Sequence, residues 1–510
     1  MGAFGPVSGN ADDNSHAAWS VARVRAADQA AIARDRPGTL MRRAAFGLAN
    51  RTAAALADRT GGVSGRHVTL LVGAGNNGGD ALWAGAYLRR RGVVVTAVLL
   101  SPDRAHSQGL AALRRAGGRI SDQPPDRVHL VLDGIVGLSG RGALRPAAAR
   151  LVAAVRVPII AVDSPSGVDP DTGTADGPAV TATETVTFGA RKPVHLLTPW
   201  RCGPVHLVDI GLFAELGEPD LRVLTAAEIG TLWPVPGPTS DKYSQGVVGI
   251  AAGSADYPGA AVLCAGAAVL ATSGMVRFAG SAADAVRRRW PEVVATGSVS
   301  DAGQVQAWAV GPGLGTGVAS RQVLAHVLGV GVPVVADADA ITLLARHPEL
   351  ADSRDPGTPL VLTPHDREFE RLTGEAPGAD RVKAARDAAR RFDAVLLLKG
   401  NTTIVAAPDG RVLVNPARSS WPATAGSGDV LTGVLGALLA TGLEPATAAA
   451  AAAHAQELAA AIAARGGPAG IAARGGAARG GTSAGAPAPA SAIQAALTNA
   501  IRVLRSTPEG

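Results

Sequence analysis

The sequence predicts an α/β protein with two domains. Its 510 residues exceed the length at which a single hydrophobic core usually stops growing. Short runs rich in Val, Leu and Ile alternate with helical stretches, which is typical of sheets covered by helices on both faces. The Pro- and Gly-rich segment 232–246 separates these runs into two sets, so we expect it to join the two domains.

Two sets of apolar runs give the predicted strands. After one or two helices within 19–60, the first set lies at 68–73, 93–100, 128–133, 157–163, 185–189 and 204–209. These runs are continuously apolar, which implies a parallel sheet buried on both faces. The second set is also of the α/β kind and lies at 247–253, 307–310, 332–337, 359–363, 393–398 and 403–407.

Composition sets the predicted domain limits. Residues 1–18 are expected to be a disordered start, the first domain to span 19–224 and the second 225–510. Within the second domain, residues 463–491 consist mainly of Gly, Ala, Pro and Arg without periodicity. Such a segment cannot bury enough apolar surface to fold, so we predict a flexible loop there.

Charge and cysteine content limit the classes of function. The net charge of +6 is spread along the chain and aromatic residues make up 3%, so we expect no nucleic-acid partner. A mild basic excess suits anionic small molecules such as nucleotides. Cys202 and Cys264 have no metal-ligand spacing and form no disulfide framework, which fits a reducing cytoplasm. Residues 1–18 do not resemble a signal peptide, and Glu444-Pro445 interrupts the Ala-rich segment 434–463, so no membrane partner is expected.

The first candidate site is the stretch "LLVGAGNNGGDALWAG" (70–85), which contains G-x-G-x-x-G after a buried strand. That pattern is typical of dinucleotide binding, but a pyrophosphate prefers backbone N–H groups to the carboxylate of Asp80. The acid that a dehydrogenase needs after its second strand has only a late counterpart in Asp103. A P-loop is excluded because no Lys-Ser or Lys-Thr follows the glycines. A plain Gly/Asp turn remains an alternative at this point.

Three strands of the first domain end in an acid and a glycine-bearing turn. Asp80 follows the first strand, Asp133 ends the strand in "VLDGIVGLSGRG" (131–142), and Asp163 ends the strand in "AVDSPSGVDPDTG" (161–173). Ligands of open parallel sheets bind beyond the carboxyl ends of the strands, so these carboxylates are expected to converge on one crevice. Crowded carboxylates need a cation or a raised pKa to coexist.

These three motifs, in this order, resemble the NAD(P)H-hydrate epimerase family over residues 20–215. The resemblance implies a Rossmann-like three-layer domain that binds hydrated NADH or NADPH and K⁺. It places K⁺ on Asn77, Asp133 and Ser166, an all-oxygen set suited to a hard cation, and acid–base chemistry on Asp163. It assigns hydrate binding to Asn76, Asn77, Gly78, Gly79, Asp80, Gly137, Leu138, Ser139, Gly140, Arg141, Gly142, Ala143 and Asp163.

The second domain carries "ATAGSGDVLTGVLGALLA" (423–440), in which glycines precede Asp429 at the start of an apolar helix. Backbone N–H groups there can bind a phosphoryl group, and Asp429 can accept a proton from an attacking hydroxyl. A simple helix cap is the alternative. Other strand ends carry "AVGPGLGTG" (309–317), "VVADADAI" (334–341) and "LVLTPHDREFERLTG" (360–374), and "LLLKGNTTIVA" (396–406) offers a basic, hydroxyl-rich turn for phosphates.

Together these motifs resemble the ADP-dependent NAD(P)H-hydrate dehydratase family, which has a ribokinase-like fold, over residues 225–505. The resemblance implies ADP as co-substrate, Mg²⁺, and phosphorylation of the hydrate followed by loss of phosphate. It places the hydrate on Ala261, Gly313, His365 and Asp429, with Asp429 as the catalytic base. It assigns the adenine nucleotide to Lys399, Gly400, Asn401, Thr402, Thr403 and Gly428.

The sequence therefore predicts a bifunctional enzyme that epimerises hydrated NAD(P)H and dehydrates the S-hydrate with ADP, releasing AMP and phosphate. A homo-oligomer in the cytoplasm is expected. A ribokinase-like small-molecule kinase, acting for example on a vitamin precursor, is compatible with the Asp429 motif alone. A non-catalytic module that senses NAD is a further alternative, and it would bind intact NAD(H) without turnover.

Overall fold

The chain folds into two compact units. The computed structural model describes residues 16–272, 274–416, 419–466 and 485–508. The boundary between the units lies between Arg222 and Val223. The predicted α/β class is confirmed for both units. In the described residues, no helix is both long enough and apolar enough to cross a membrane.

The segment 232–246 does not join the two units, as the sequence had suggested, but lies within the second unit. Trp233 is buried in the core of that unit, and its indole N–H donates a hydrogen bond to the Ala271 carbonyl oxygen at 2.9 Å. A buried Trp with a satisfied N–H anchors the start of the segment in that core, so its Pro and Gly residues do not mark a domain boundary.

The first unit alternates strands and helices along most of its length. Its elements are β1 (Ala17–Ala18), α1 (Val21–Arg34), α2 (Thr39–Thr60), β2 (His67–Val72), α3 (Asn76–Arg89), β3 (Val94–Leu99), α4 (Ser107–Arg115), β4 (Arg119–Ser121), β5 (Leu130–Gly134), α5 (Pro146–Ala154), β6 (Ile159–Val162), β7 (Glu184–Phe188), α6 (Pro193–Leu197), α7 (Pro199–Cys202), β8 (Val205–Val208), α8 (Phe213–Leu216) and β9 (Leu221–Arg222). Strands β1 and β9 pair antiparallel, so the predicted disordered start, 1–18, extends too far. Residues 1–15 lie outside the described residues.

The main sheet of the first unit is parallel throughout, with strand order β4-β3-β2-β5-β6-β7-β8. Leu70 packs in a core with α2 and α3, whereas the next residue, Leu71, packs in the core on the opposite face. The sheet is therefore the middle of three layers. Successive strands lie outward from β2 on one side of the sheet and outward from β5 on the other. The strand order therefore reverses between β2 and β5, and such a reversal opens a crevice beyond the carboxyl ends of the two strands.

The second unit has the same general plan with more helix. Its elements are α9 (Ala226–Leu232), β10 (Val247–Ala251), α10 (Pro258–Ala271), β11 (Met275–Ala279), α11 (Ala283–Arg289), β12 (Val294–Thr296), β13 (Ala307–Val310), α12 (Val318–Gly329), β14 (Val334–Ala336), α13 (Asp339–Arg346), β15 (Leu360–Leu362), α14 (Asp366–Thr373), α15 (Arg381–Phe392), β16 (Val395–Leu398), β17 (Thr402–Ala406), β18 (Val412–Pro416), α16 (Ser427–Ala440), α17 (Pro445–Arg465) and α18 (Ala490–Ser506). The predicted loop 463–491 therefore begins and ends in helical residues, and its part 467–484 lies outside the described residues.

In the second unit, strands β10 to β18 follow the order β12-β11-β10-β13-β14-β15-β16-β17-β18. The pairs from β12 to β16 are parallel, and β17 and β18 add antiparallel strands. The strand order again reverses in this sheet, here between the parallel neighbours β10 and β13. The turns after these two strands meet, since the Gly253 N–H donates to the Pro312 carbonyl oxygen at 2.7 Å.

Small residues bring α10 and α16 close together in the second unit. Gly433 of α16 faces α10, and a Cβ atom at this position would overlap the Cys264 carbonyl oxygen. The surrounding core consists largely of Ala, Val and Leu, which fits the low aromatic content of the chain. Close backbone approach thus replaces large side chains in this core.

Gly433→Ala should destabilise the second unit by about 1–3 kcal/mol, because the added methyl group overpacks the contact between α10 and α16. The matched control is Gly259→Ala on α10, where a Cβ atom would meet no other atom within 4 Å. The control should leave stability unchanged or raise it by roughly 0.5 kcal/mol. Chemical denaturation of both variants measures the difference, and equal stability would contradict the proposed close packing.

Candidate functional site

A cavity of about 670 Å³ lies in the first unit. It is formed in part by the turns that follow β2 and β5, where the strand order reverses. Seven of the residues predicted to bind the hydrate line it, namely Asn76, Asn77, Asp80, Gly137, Leu138, Ser139 and Asp163. The structure therefore brings residues from three separate motifs to one cavity.

The other residues predicted to bind the hydrate do not line this cavity. A Cβ atom at Gly78 would overlap the Gly73 carbonyl oxygen, and one at Gly79 would lie 2.9 Å from His106 Cγ. These glycines let α3 begin directly against the end of β2. Arg141 is largely exposed and its guanidinium lies 3.8 Å from Asp169. The remaining residues of this group are Gly140, Gly142 and Ala143.

Asp163 is the most constrained acid of the cavity. Its backbone has φ of +70°, a left-handed conformation that costs about 1–3 kcal/mol in a residue other than glycine. Its carboxylate pairs with the ammonium of Lys192 and accepts a hydrogen bond from the Thr187 hydroxyl at 3.0 Å. Lys192 is 1% exposed, so a buried cation compensates a buried carboxylate.

His195 fixes the backbone around this ion pair. Its Nδ1 accepts a hydrogen bond from the Lys192 N–H at 3.0 Å, so Nε2 carries the proton and donates to the Asp163 carbonyl oxygen at 2.9 Å. Burial and the nearby Lys192 lower the pKa of His195 to about 3. The neutral imidazole therefore bridges the two residues of the pair without adding a charge.

Two of the other carboxyl groups that line the cavity, those of Asp80 and Asp28, have raised pKa values. Burial, followed by the charges of Asp163 and Asp28, raises the pKa of Asp80 well above its ordinary value. Burial also raises the pKa of Asp28 to about 6, with Lys192 acting in the opposite direction and Asp163 in the same direction. Both carboxyl groups therefore hold their protons to a higher pH than an ordinary aspartate does, and Asp28 titrates near pH 6 because its pKa is about 6.

Asp133 lies apart from these groups and is fully buried at the end of β5. It accepts hydrogen bonds from the Ser166 N–H at 2.9 Å and the Ser166 hydroxyl at 2.7 Å. Burial raises its pKa to about 6 despite these hydrogen bonds. The expectation that Asp80, Asp133 and Asp163 share one crevice therefore holds for Asp80 and Asp163, and Asp28 and Asp35 are further acids of the cavity.

The residues predicted to hold K⁺ fit a hard cation. Asp133 and Ser166 provide oxygen atoms, and the buried side-chain amide of Asn77 has an Nδ2 without a hydrogen-bond partner among the described residues. Rotating that amide by 180° would present its oxygen instead. In the same part of the chain, no group of three or more His, Cys, Asp or Glu residues is arranged to hold a metal.

Four residues that sequence reasoning missed also shape the cavity: Asp28, Trp83, His106 and Lys192. The sequence does carry a signal for Lys192, which follows β7 in "FGARKPVH" (188–195). Ligands of open parallel sheets bind beyond the carboxyl ends of the strands, and this holds for β7 as it does for β2, β5 and β6. Asp28 lies on α1, ahead of the first strand of the sheet, and no strand-end signal marks it.

The site of the second unit is centred on an ion pair at the end of β14. The Lys399 ammonium lies 2.8 Å from Asp337 Oδ1 and 3.8 Å from Glu368 Oε2. The Thr432 hydroxyl of α16 donates to Asp337 Oδ2 at 2.8 Å. Burial alone would lower the pKa of Lys399, but the neighbouring Asp337 and Glu368 carboxylates hold it above its ordinary value. The lysine therefore stays charged where a phosphate could approach.

Asp429 lies in the first turn of α16, beside this pair. Burial and the Asp337 carboxylate raise its pKa to about 6, with Lys399 acting in the opposite direction. Its carboxyl makes no hydrogen bond within the described ranges. A Cβ atom at Gly428 would lie 3.6 Å from both Lys399 Nζ and Asp337 Oδ2, so the glycine leaves room between the helix and the ion pair.

A side chain of α17 forms hydrogen bonds with the start of α16. The Gln456 side-chain amide donates to the Ser427 carbonyl oxygen at 3.0 Å and also contacts the Ser427 hydroxyl. Gln456 is buried within a helix made mostly of alanine. This polar side chain therefore fixes the position of the Gly-Ser-Gly-Asp turn.

The structure places the residues predicted to bind the hydrate in the second unit in different environments. Gly313 has φ of +61°, and a Cβ atom there would lie 2.9 Å from Ala260 Cβ. Ala261 is fully buried, so its side chain presents no surface to a ligand. His365 caps α14, because its Nδ1 accepts from the Arg367 and Glu368 N–H groups at 3.2 Å. Its Nε2, on a half-exposed ring, lies 3.5 Å from Glu368 Oε1.

The predicted nucleotide-binding turn connects β16 to β17. Gly400 and Asn401 are exposed in the turn, whereas Thr402 and Thr403 belong to β17 and pair with Pro416 and Asn415. Thr402 is buried and Thr403 is partly exposed. Lys399 and Gly428 therefore share one site, and the turn leads from it into β17.

Comparison with known proteins bears on both units. Residues 37–194 match the family model described as YjeF-related protein N-terminus, and residues 248–473 match the one described as NAD(P)H-hydrate dehydratase. The chain is 55% identical over 434 residues to the bifunctional NAD(P)H-hydrate repair enzyme Nnr of Mycobacterium leprae, covering 84% of this chain and 90% of that one. The chain belongs to the bifunctional NAD(P)H-hydrate repair enzyme family.

Other relatives carry the same name. The chain is 55% identical to Nnr of Mycobacterium tuberculosis, over 85% of this chain and 91% of that one. It is 42% identical to Nnr of Corynebacterium glutamicum, over 73% and 78%. A crystal structure of ADP/ATP-dependent NAD(P)H-hydrate dehydratase from Bacillus subtilis, co-crystallised with ATP/Mg²⁺, is 26% identical over 55% of this chain and 98% of that one, with a TM-score of 0.45.

Membership of this family confirms the predicted bifunctional enzyme. The N-terminal part is the epimerase and the C-terminal, ribokinase-like part is the dehydratase. The enzyme is an isomerase and a lyase that repairs hydrated NAD(P)H. The small-molecule kinase and the NAD-sensing module are therefore set aside.

Lys192→Met should destabilise the first unit by about 3–5 kcal/mol, because it leaves the buried Asp163 carboxylate without its cation. The double variant Lys192→Met/Asp163→Asn should recover most of this loss, since it removes both charges. Urea unfolding of the wild type, both single variants and the double variant measures the coupling. Additive effects of the two substitutions would contradict the ion pair.

Proposed function

We propose that the cavity of the first unit interconverts the R and S hydrates, with Asp163 as a proton-transfer group. The ionised pair of Asp163 and Lys192 in the cavity wall carries this proposal. We propose that the site around Asp429 and Lys399 binds the S-hydrate and ADP. Residues 19–224 and 225–510 are the corresponding epimerase and dehydratase domains.

The chemistry of a hydrated dihydronicotinamide sets what the epimerase must do. Addition of water to this enamine places the hydroxyl on the carbon beside the ring nitrogen. When that hydroxyl leaves as water, the nitrogen lone pair stabilises the resulting cation. Water then adds to the opposite face, and Asp163 accepts the proton that this water loses. The inverted hydrate results.

Several side chains of the cavity wall would hold the hydrate during this exchange. The raised pKa of Asp80 favours its protonated form, in which the carboxyl can donate a hydrogen bond to a carbonyl group of the substrate. Asn76 and Ser139 add neutral polar groups to the wall. Trp83 offers an aromatic face on which a planar ring can stack.

K⁺ would be held by Asn77, Asp133 and Ser166, and its charge would compensate the buried Asp133 carboxylate. Within the described residues Asp133 forms no salt bridge, and its carboxylate accepts hydrogen bonds from Ser166 and from the Ile135 N–H. Bound K⁺ would thereby fix the turns after β5 and β6, which carry Gly137 and Asp163. The cation thus acts on the position of the cavity wall.

In the second unit, Asp429 would accept the proton of the hydrate hydroxyl while that oxygen attacks the β-phosphorus of ADP. The bond from this phosphorus to the bridging oxygen breaks and releases AMP. The C–O bond then breaks, phosphate leaves, and the ring nitrogen lone pair stabilises the cation. Loss of a proton from the neighbouring carbon restores NADH or NADPH.

The nucleotide would bind along the turn from Lys399 to Thr403 and over Gly428. The Lys399 ammonium and the N–H groups at the start of α16 offer positive charge and donors to the phosphates. Asp337 and Glu368 flank Lys399, and carboxylates of this kind hold Mg²⁺ together with phosphate oxygens. We further propose that the enzyme is a cytoplasmic homo-oligomer.

Asp429→Asn should lower NADH regeneration from the S-hydrate by ~10²–10⁴-fold, because it removes the base. Asn remains compatible with the start of a helix, so the protein should stay folded. In the wild type, turnover should fall as the pH drops below about 6, since protonation inactivates the base. The return of NADH absorbance measures both effects. Near-normal turnover of a folded variant would contradict the role of Asp429.

Asp163→Ala should stop repair of the R-hydrate while leaving dehydration of the S-hydrate intact, because the two sites lie in different compact units. The assay uses an epimeric mixture with ADP and Mg²⁺ and follows both epimers by chromatography. An enzyme-free control corrects for spontaneous epimerisation. Equal loss of both activities in a folded protein would contradict the assignment of separate sites.

A further inference from the structure

The epimerisation described above needs a proton donor as well as an acceptor. The hydroxyl leaves readily only as water, so a group on its side must protonate it while Asp163 serves the incoming water on the other face. This requirement rests on the proposed function of the cavity. Asp163 is paired with the Lys192 ammonium, so in this direction it accepts the proton and another group must supply one.

Asp28 lines the same cavity as Asp163 and reaches it from a different element of the fold. It lies on α1, whose residues Val24, Asp28 and Ile32 line the cavity at intervals of four, one face of the helix. Asp80 and Asp163 reach the same cavity from α3 and from the turn after β6. Asp28 is partly buried, and within the described part of the chain its carboxyl makes no hydrogen bond and no salt bridge.

Other charged and titratable groups also face this cavity, and they set when Asp28 holds its proton. Burial and the Asp163 charge favour the protonated form, whereas the Lys192 ammonium favours the ionised form. The result is a carboxyl whose pKa, about 6, lies nearer neutrality than that of an ordinary aspartate. The other groups that line the cavity are Arg25, Asp35, Arg36, Arg42, Asp80 and His106.

We propose that Asp28 is a second catalytic residue of the epimerase and protonates the departing hydroxyl. The proton of Asp28 passes to the hydroxyl oxygen, the C–O bond breaks, and water leaves with the bonding electron pair. The ring nitrogen lone pair forms the C=N bond of the cation. Water adds to the opposite face, and its extra proton passes to Asp163. In the reverse direction Asp163 donates and Asp28 accepts.

The test compares Asp28→Asn with Asp28→Glu in the full chain, using one pure epimer as substrate and no ADP. Asp28→Asn should lower kcat for epimerisation by ~10²–10⁴-fold with little change in KM, because it removes a proton donor. Asp28→Glu keeps a carboxyl and should recover part of the rate. Asp58→Asn, an exposed aspartate on α2, is the matched control and should behave as the wild type.

The pH dependence separates catalysis from a structural role. Wild-type kcat/KM should fall as the pH rises through about 6, because Asp28 loses the proton that it must donate. The residual activity of Asp28→Asn should lack this fall. Wild-type rates in Asp28→Asn, or an unchanged pH profile of its residual activity, would overturn the proposal.

Stability gives a second, independent measurement. Folding raises the pKa of Asp28 from its ordinary 3.8, so its ionised form opposes folding above pH about 6. Asp28→Asn should therefore unfold at the same or a higher temperature than the wild type at pH 8, and the difference should disappear below pH 3.8. A lower unfolding temperature at pH 8 would indicate a structural role and overturn the proposal. Full activity of Asp163→Ala would instead reject the proposed epimerase site itself.

Discussion

The need to compensate carboxyl groups buried at the ends of parallel strands organises both units. An ionised carboxylate away from water is costly unless it is paired, hydrogen-bonded or protonated. Asp163 meets this need through Lys192, Asp337 through Lys399 and Thr432, and Asp133 through Ser166. For Asp80, burial and the neighbouring carboxylates raise the pKa and so favour the neutral form. Each solution leaves a group with a defined charge beside an open site, which is what acid–base chemistry and phosphate binding require.

The two units reach this arrangement by the same topological route. In each sheet the order in which strands are added reverses between two neighbouring parallel strands, β2 and β5 in the first unit and β10 and β13 in the second. Turns from distant parts of the sequence meet beyond the strand ends, where the reversal leaves space for a ligand. Fusion of the two activities follows from their chemistry, because a dehydratase specific for one epimer leaves the other behind and an attached epimerase converts it.

The sequence was informative where a strand-end motif carries the chemistry. Continuous apolar runs located the strands that border both sites, and Asp80, Asp163, Lys399 and Gly428 lie where those motifs predicted. Gly140 to Ala143 were predicted to bind the hydrate but lie outside the cavity, because the turn that contains them lines the cavity only as far as Ser139. Asp28 was missed because its helix precedes the sheet, and only tertiary packing brings it to the cavity. The segment 232–246 resembled a linker because its turns contain Pro and Gly, but Trp233 anchors it in the second unit.

The central claim is that two chemically independent sites in one chain repair the two epimers in succession. The most direct measurement is complementation between the Asp163→Ala and Asp429→Asn proteins, mixed in one reaction with both epimers, ADP and Mg²⁺. Separate sites predict full recovery of NADH, because one protein supplies the epimerase and the other supplies the dehydratase. The double variant, carrying both substitutions in each chain, should show no repair. If the mixture repairs only the S-hydrate and leaves the R-hydrate unconverted, the claim is contradicted.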